Sequence, residues 1–115
     1  MTHILPQDAA VDLLESVFGV GEIEPMNNPL TINFSPKSAT TTGLEIQVIS
    51  FTIDPHGQCV KSNIVADYQQ KPVEREIDNA NFELDLKNKQ LMFFNTPITS
   101  SADFEAVYIE KLINV

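Results

Sequence analysis

The chain has 115 residues, 43% of them hydrophobic and 20% charged, which is ordinary for a soluble globular protein with one domain and one core. Sixteen acidic residues against seven basic ones give a net charge of −9. With no basic stripe to displace counterions, direct nucleic-acid binding is not expected. No apolar run approaches the roughly 20 residues of a membrane span, and Met1–Pro6 lacks the basic and apolar regions of a secretory signal. The single cysteine, Cys59, permits no internal disulfide and makes the cytoplasm the expected compartment.

Pro6 to Phe18 reads as a helix, with proline suited to the first turn and Gly19 to the residue past the end. Ala10, Leu13, Leu14, Val17 and Phe18 form its buried stripe, and Asp8, Asp12 and Glu15 line the opposite face as an acidic row. Glu22 and Glu24 extend that negative charge into a loop ending at Asn28. The glycines at 19 and 21 do not make a phosphate loop, because no strand precedes them and no base follows. Leu30, Ile32 and Phe34 alternate with polar residues as a short strand, and Ser35–Gly43 is a polar connection. The sequon Asn33-Phe34-Ser35 carries no weight without secretion.

The central feature is a hairpin, Leu44–Ile53 and Gln58–Tyr68, turning at Asp54-Pro55-His56-Gly57 through a type I turn and a left-handed residue. With Asp54 opposite Gln58, a regular ladder pairs Leu44 with Tyr68, Ile46 with Ala66 and Val48 with Ile64. On the other face Ile53 meets Cys59, Phe51 meets Lys61 and Ile49 meets Asn63. The apolar side therefore changes between Val48 and Ile49. Such a ribbon needs either a bulge near Val48 or different elements covering its two faces. In the second case the two helices either cover one face each in a closed monomer or both pack on the Leu44/Ile46/Val48 side. The latter leaves Ile49, Phe51, Ile53, Met92 and Phe94 as an apolar patch that a homodimer would bury across a two-fold axis. The patch and dimer are the favoured expectation.

Gln69–Asn81 is read as a short helix from Pro72, with a strand over Val73–Ile77 as its near-equal rival. A second hairpin follows: Phe82, Leu84 and Leu86 alternate with acids, and a two-residue Asn88-Lys89 turn pairs Leu86 with Leu91 and Leu84 with Phe93. Lysine adopts the required positive φ reluctantly, so a longer loop is the alternative. Met92 and Phe94 fall on the polar face, and Asn95-Thr96-Pro97 ends the strand. Ser100 with Asp103 resembles a capping box opening a helix to Ile113, against a strand suggested by Val107-Tyr108-Ile109.

Catalytic groups are scarce. His3 lies in an expected frayed terminus, and His56 sits at the hairpin tip near Asp54 and Cys59. That trio matches no common zinc spacing, and a turn offers no cleft for a cysteine nucleophile. The pairs Glu74/Glu76 and Glu83/Asp85 follow from the acidic composition. No catalytic residue, metal ligand or cofactor is therefore assigned. The expected fold is α+β: an antiparallel sheet of about four to six strands with an N-terminal and a C-terminal helix. The expected function is non-enzymatic. Asp8, Asp12, Glu15, Glu22 and Glu24 would cover a basic site on a nuclease or other nucleic-acid-binding protein, as an immunity or anti-defence type inhibitor that mimics nucleic acid. An adaptor or secretion-type chaperone, using an apolar sheet face, is the alternative. A small-molecule or catalytic domain would need a pocket that no motif announces.

Overall fold

The computed structural model describes residues 5–24, 29–37 and 42–114, and shows an α+β architecture. The terminus around His3, the Pro25–Asn28 part of the first loop and Ser38–Thr41 of the polar connection lie outside the described residues. Helix α1 (Pro6–Phe18) leads into β1 (Glu22–Ile23), β2 (Leu30–Phe34), β3 (Leu44–Ile53), β4 (Cys59–Tyr68) and β5 (Lys71–Ile77), which form one antiparallel sheet in chain order. A single 3₁₀ turn, Asn79–Asn81, connects to a second antiparallel sheet of β6 (Phe82–Asp85), β7 (Gln90–Phe93) and β8 (Thr96–Ile98). Helix α2 (Ser101–Tyr108) closes the chain and runs into a π-helical turn at Ile109–Ile113.

Two β-bulges resolve the change of apolar face in the central hairpin. Ile46 pairs with Ala66 but Val48 pairs with Val65, leaving Gln47 as the extra residue of β3. Ile53 pairs with Cys59 but Thr52 pairs with Lys61, leaving Val60 as the extra residue of β4. The two insertions lie on opposite strands, so they cancel. Leu44↔Tyr68, Ile46↔Ala66 and Ile53↔Cys59 pair as the regular ladder requires, and only the segment between slips by one. Ile49 then meets Ile64 and Phe51 meets Ser62, correcting the expected partners Asn63 and Lys61. Because a one-residue slip inverts the side-chain direction, Leu44, Ile46, Ile49, Phe51 and Ile53 all reach the same buried face.

That shared face corrects the expected apolar patch. Ile49, Phe51 and Ile53 are each 0% exposed within one chain, so no dimer is needed to bury them. Phe51 is central: its ring centre lies 5.5 Å from Phe18 of α1, 6.0 Å from Phe34 of β2 and 5.1 Å from Phe82 of β6. Phe82 stacks on Phe93 at 4.5 Å, and Phe93 lies 4.9 Å from Phe104 of α2. One aromatic chain thus joins both sheets and both helices on the same side of the large sheet. Phe94 owes its off-face position to a two-residue turn with Asn95, in which both residues have positive φ. This turn reverses the chain into β8, so Thr96–Ile98 is itself a strand rather than a terminator, with Pro97 on the edge opposite Met92.

Other local differences have similar causes. Lys71–Ile77 is a strand because Gln69 and Gln70, both with positive φ, make a tight turn that pairs Tyr68 with Lys71. The β6–β7 connection is the longer loop, so Leu84 faces Leu91 and Phe82 faces Phe93. The tip at Asp54–Gly57 forms as expected, with Asp54 N–H donating to Gln58 O at 2.9 Å. Gly57 has φ +84°, and a Cβ there would lie 2.7 Å from the Pro6 carbonyl oxygen and 2.6 Å from Leu86 Cδ1. At α2, Ser100 Oγ accepts from Asp103 N–H at 3.2 Å, while the Asp103 carboxylate accepts chiefly from Thr99 N–H and Oγ1, with Ser100 N–H the weaker contributor. The main bonds of the carboxylate thus fall one residue earlier than in a regular box.

Candidate binding surface

The acidic row is split by the fold. Asp8 and Asp12 stand exposed one turn apart on the outward face of α1. Glu15 is half-buried, and its Oε2 accepts from Gly21 N–H at 3.1 Å, which ties the loop back onto the helix. Glu22 faces the other way. It pairs with Asn33, whose side chain accepts from Ser50 Oγ on the uncovered face of the large sheet. Glu24 is exposed next to it, with its N–H donating to Thr31 O.

Two surfaces result. On the helix side, α1 and the β6–β7 loop enclose a groove of about 310 Å³ lined by Ala9, Asp12, Leu13, Ser16, Leu86 and Lys89. Asp12 is the expected partner-binding residue that the fold brings to this concavity. Leu86 and Lys89 carried no functional signal in the sequence, where Leu86 read as a cross-strand partner of Leu91. On the opposite side, no helix among the described residues covers the large sheet. Glu22, Glu45, Asp67, Glu74 and Glu76 share that face with Lys61, placed there by register with Asn33, Val65, Asn63 and Thr52. Its polar groups satisfy one another: Ser50 Oγ donates to Asn33 at 2.5 Å, Gln47 Nε2 donates to Asp67 at 3.0 Å, and the Thr31 and Thr52 hydroxyls are 3.3 Å apart. An open trough of about 450 Å³ between β4 and β5 is lined by Asn63, Val65, Glu74 and Glu76 among others.

The hairpin tip is a structural device. Asp54 Oδ1 accepts from His56 N–H and Gln58 N–H, both at 2.9 Å, so that carboxylate fixes the turn. Cys59 is buried, its thiol donates to Lys61 O at 3.4 Å, and burial pushes its pKa up to about 11. A thiol held protonated at neutral pH is a poor nucleophile and metal ligand. Among the described residues, no three His, Cys, Asp or Glu side chains are grouped to hold a metal ion. Met92 and Phe94, the remaining members of the expected patch, are half-buried and line a hollow of about 150 Å³ with Glu83, Asn95 and Lys111.

Glu105, Tyr108 and Ser62, whose hydroxyl donates to Ile77 O at 3.1 Å, are buried polar groups elsewhere in the fold. Glu105 is 0% exposed and accepts from Thr42 Oγ1 at 2.5 Å, anchoring the chain entering β3 onto α2. Tyr108 is also 0% exposed, and its hydroxyl has no hydrogen-bond partner among the described residues. Among the described residues, no helix is long and apolar enough to cross a membrane. Comparison with protein-family models, with curated proteins and with solved structures finds no match.

Proposed function

We propose that this chain acts without catalysis, as a small acidic inhibitor of the immunity or anti-defence type. It would cover a basic surface on a nuclease or another nucleic-acid-binding protein. Its carboxylates take the place of backbone phosphates, while its own net charge of −9 keeps nucleic acid away. The supporting observation is that Asp8 and Asp12 stand exposed and adjacent beside the groove of α1. A contact surface needs a concavity in which apolar groups can be desolvated, and this is the acidic site that has one beside a helix. The carboxylates of the flat sheet face point the opposite way. They strengthen the field that draws a basic partner in, without touching the same partner. A cytoplasmic setting, supported by a lone buried thiol, belongs to the same reading.

The adaptor alternative required an exposed apolar sheet face, and of the residues nominated for it Ile49, Phe51 and Ile53 are buried while Met92 and Phe94 are half-buried. The test is a pull-down from native lysate with the parent and with Asp8→Asn/Asp12→Asn, followed by kinetics on the captured protein. A basic nucleic-acid-binding protein should be captured, with an on-rate that falls several-fold in the variant at low salt and converges with the parent at high salt. A captured partner that binds parent and variant alike at low salt would remove the acidic row from the interface.

A further inference from the structure

The groove beside the acidic row has a chemistry that specifies more than charge. Its walls are Ala9 and Leu13 from α1 and Leu86 from the β6–β7 loop, and its polar rim is Asp12 on the helix and Lys89 on the loop. Among the described residues, neither Asp12 nor Lys89 makes an ion pair or hydrogen bond, so the two charges stand at separate walls with their pairing capacity unspent. Asp8, one turn before Asp12, doubles the negative charge on the helix wall. From this arrangement we infer that the groove receives a segment of the basic partner protein, inserting one branched apolar side chain between Leu13 and Leu86 and setting a lysine or arginine on Asp8 and Asp12. Lys89 repels a second cation on the loop side, which fixes the direction in which the segment lies. This inference rests on the inhibitor reading and adds to it an apolar anchor at the centre of a charged rim, the arrangement in which a few residues carry most of the binding energy.

The experiment uses two synthetic helical peptides with the same lysines, one carrying leucines on its apolar face and one carrying serines there. They are titrated into the isotopically labelled full chain and followed by amide chemical shifts. The leucine peptide should shift the amides of Ala9, Asp12, Leu13, Ser16, Leu86 and Lys89 and bind at least about tenfold tighter than the serine peptide, the effect expected of burying one leucine side chain. Ala9→Phe, which fills the groove at a half-buried surface position and keeps every charge, should reduce the leucine peptide to the affinity of the serine peptide. Equal affinity of the two peptides overturns the anchor and leaves the acidic row standing. Absence of binding by either overturns both readings. Shifts confined to the open sheet face, or the same shifts on concentrating the protein alone, would give the groove no partner segment and would also refute the inference.

Discussion

Truncating Phe51 to alanine tests whether the double bulge has turned the central hairpin into a one-sided element. Phe51 is 0% exposed and touches the rings of Phe18, Phe34 and Phe82. Removing a buried phenylalanine ring costs about 3–5 kcal/mol, the sum of lost transfer free energy and the cavity left behind. The upper half of that range is expected, because these neighbours belong to three different elements, α1, β2 and β6, and cannot collapse together into the void. About 4 kcal/mol is a large share of the roughly 5–15 kcal/mol that holds a domain folded. For a chain of this length each kcal/mol moves the melting temperature by roughly 3–5 °C, so the midpoint should fall by about 12–20 °C. Urea unfolding followed by circular dichroism gives the free energy, and sedimentation gives the mass. A loss below about 1 kcal/mol, or a parent dimer that the variant converts into an equally stable monomer, would refute the placement of Phe51 in a monomer core.

Gly57→Ala should cost about 3 kcal/mol, because a residue with a side chain is strained at φ +84° and its Cβ would collide with the Pro6 carbonyl; Gly57→Asn, which tolerates the φ, should rescue little, and a melting temperature equal to the parent's would count against the contact. Cys59 makes stability fall at alkaline pH. Burial raises its pKa from an ordinary 9.0 to about 11, so the native state keeps a proton that the unfolded state releases, and roughly 2–3 kcal/mol is lost as pH rises from about 9 to about 11. Cys59→Ala should flatten that limb in urea titrations at a series of pH values; an unchanged slope would refute the assignment. Asp103 works in the opposite sense. Its hydrogen bonds from Thr99 hold its carboxyl below the usual range, so its contribution is present above that range and lost as pH falls through it, and Asp103→Asn should fray α2 in amide hydrogen exchange at neutral pH. Tyr108→Phe should stabilise by about 1–2 kcal/mol, since it removes a buried hydroxyl that has no partner among the described residues, and a lower melting temperature would show that the hydroxyl is satisfied.

Local chemistry was legible in the residues themselves. Pro6 and Gly19 bracket α1, Asp54 to Gly57 builds its turn from side-chain and φ preferences, and Ser100 caps α2. Each of these is decided within four residues, where sequence spacing and spatial distance coincide. The shift of apolar parity between Val48 and Ile49 was also visible and carried two meanings, a bulge or two coverings. Nothing local chooses between them, because a bulge costs a ladder hydrogen bond that only burial on the far side can offset.

The tertiary structure made that choice. Bringing Phe51 onto Phe18, Phe34 and Phe82 while Leu44 and Ile46 share its face requires extruding Gln47, and the second bulge at Val60, which restores the register at the turn, has no counterpart in the apolar pattern of β3. The same holds for the binding surface. Asp8 and Asp12 share a helix face by spacing alone, but Leu86 and Lys89 reach them only because the β6–β7 loop packs across α1, some seventy residues further along the chain. Glu22 read as part of that row, and the strand register turned it to the opposite side of the molecule. Charge and helical spacing placed Asp8 and Asp12 in water, but the burial of Glu105 and of Ile49, Phe51 and Ile53, and which charges face water together, depended on contacts between elements distant in sequence.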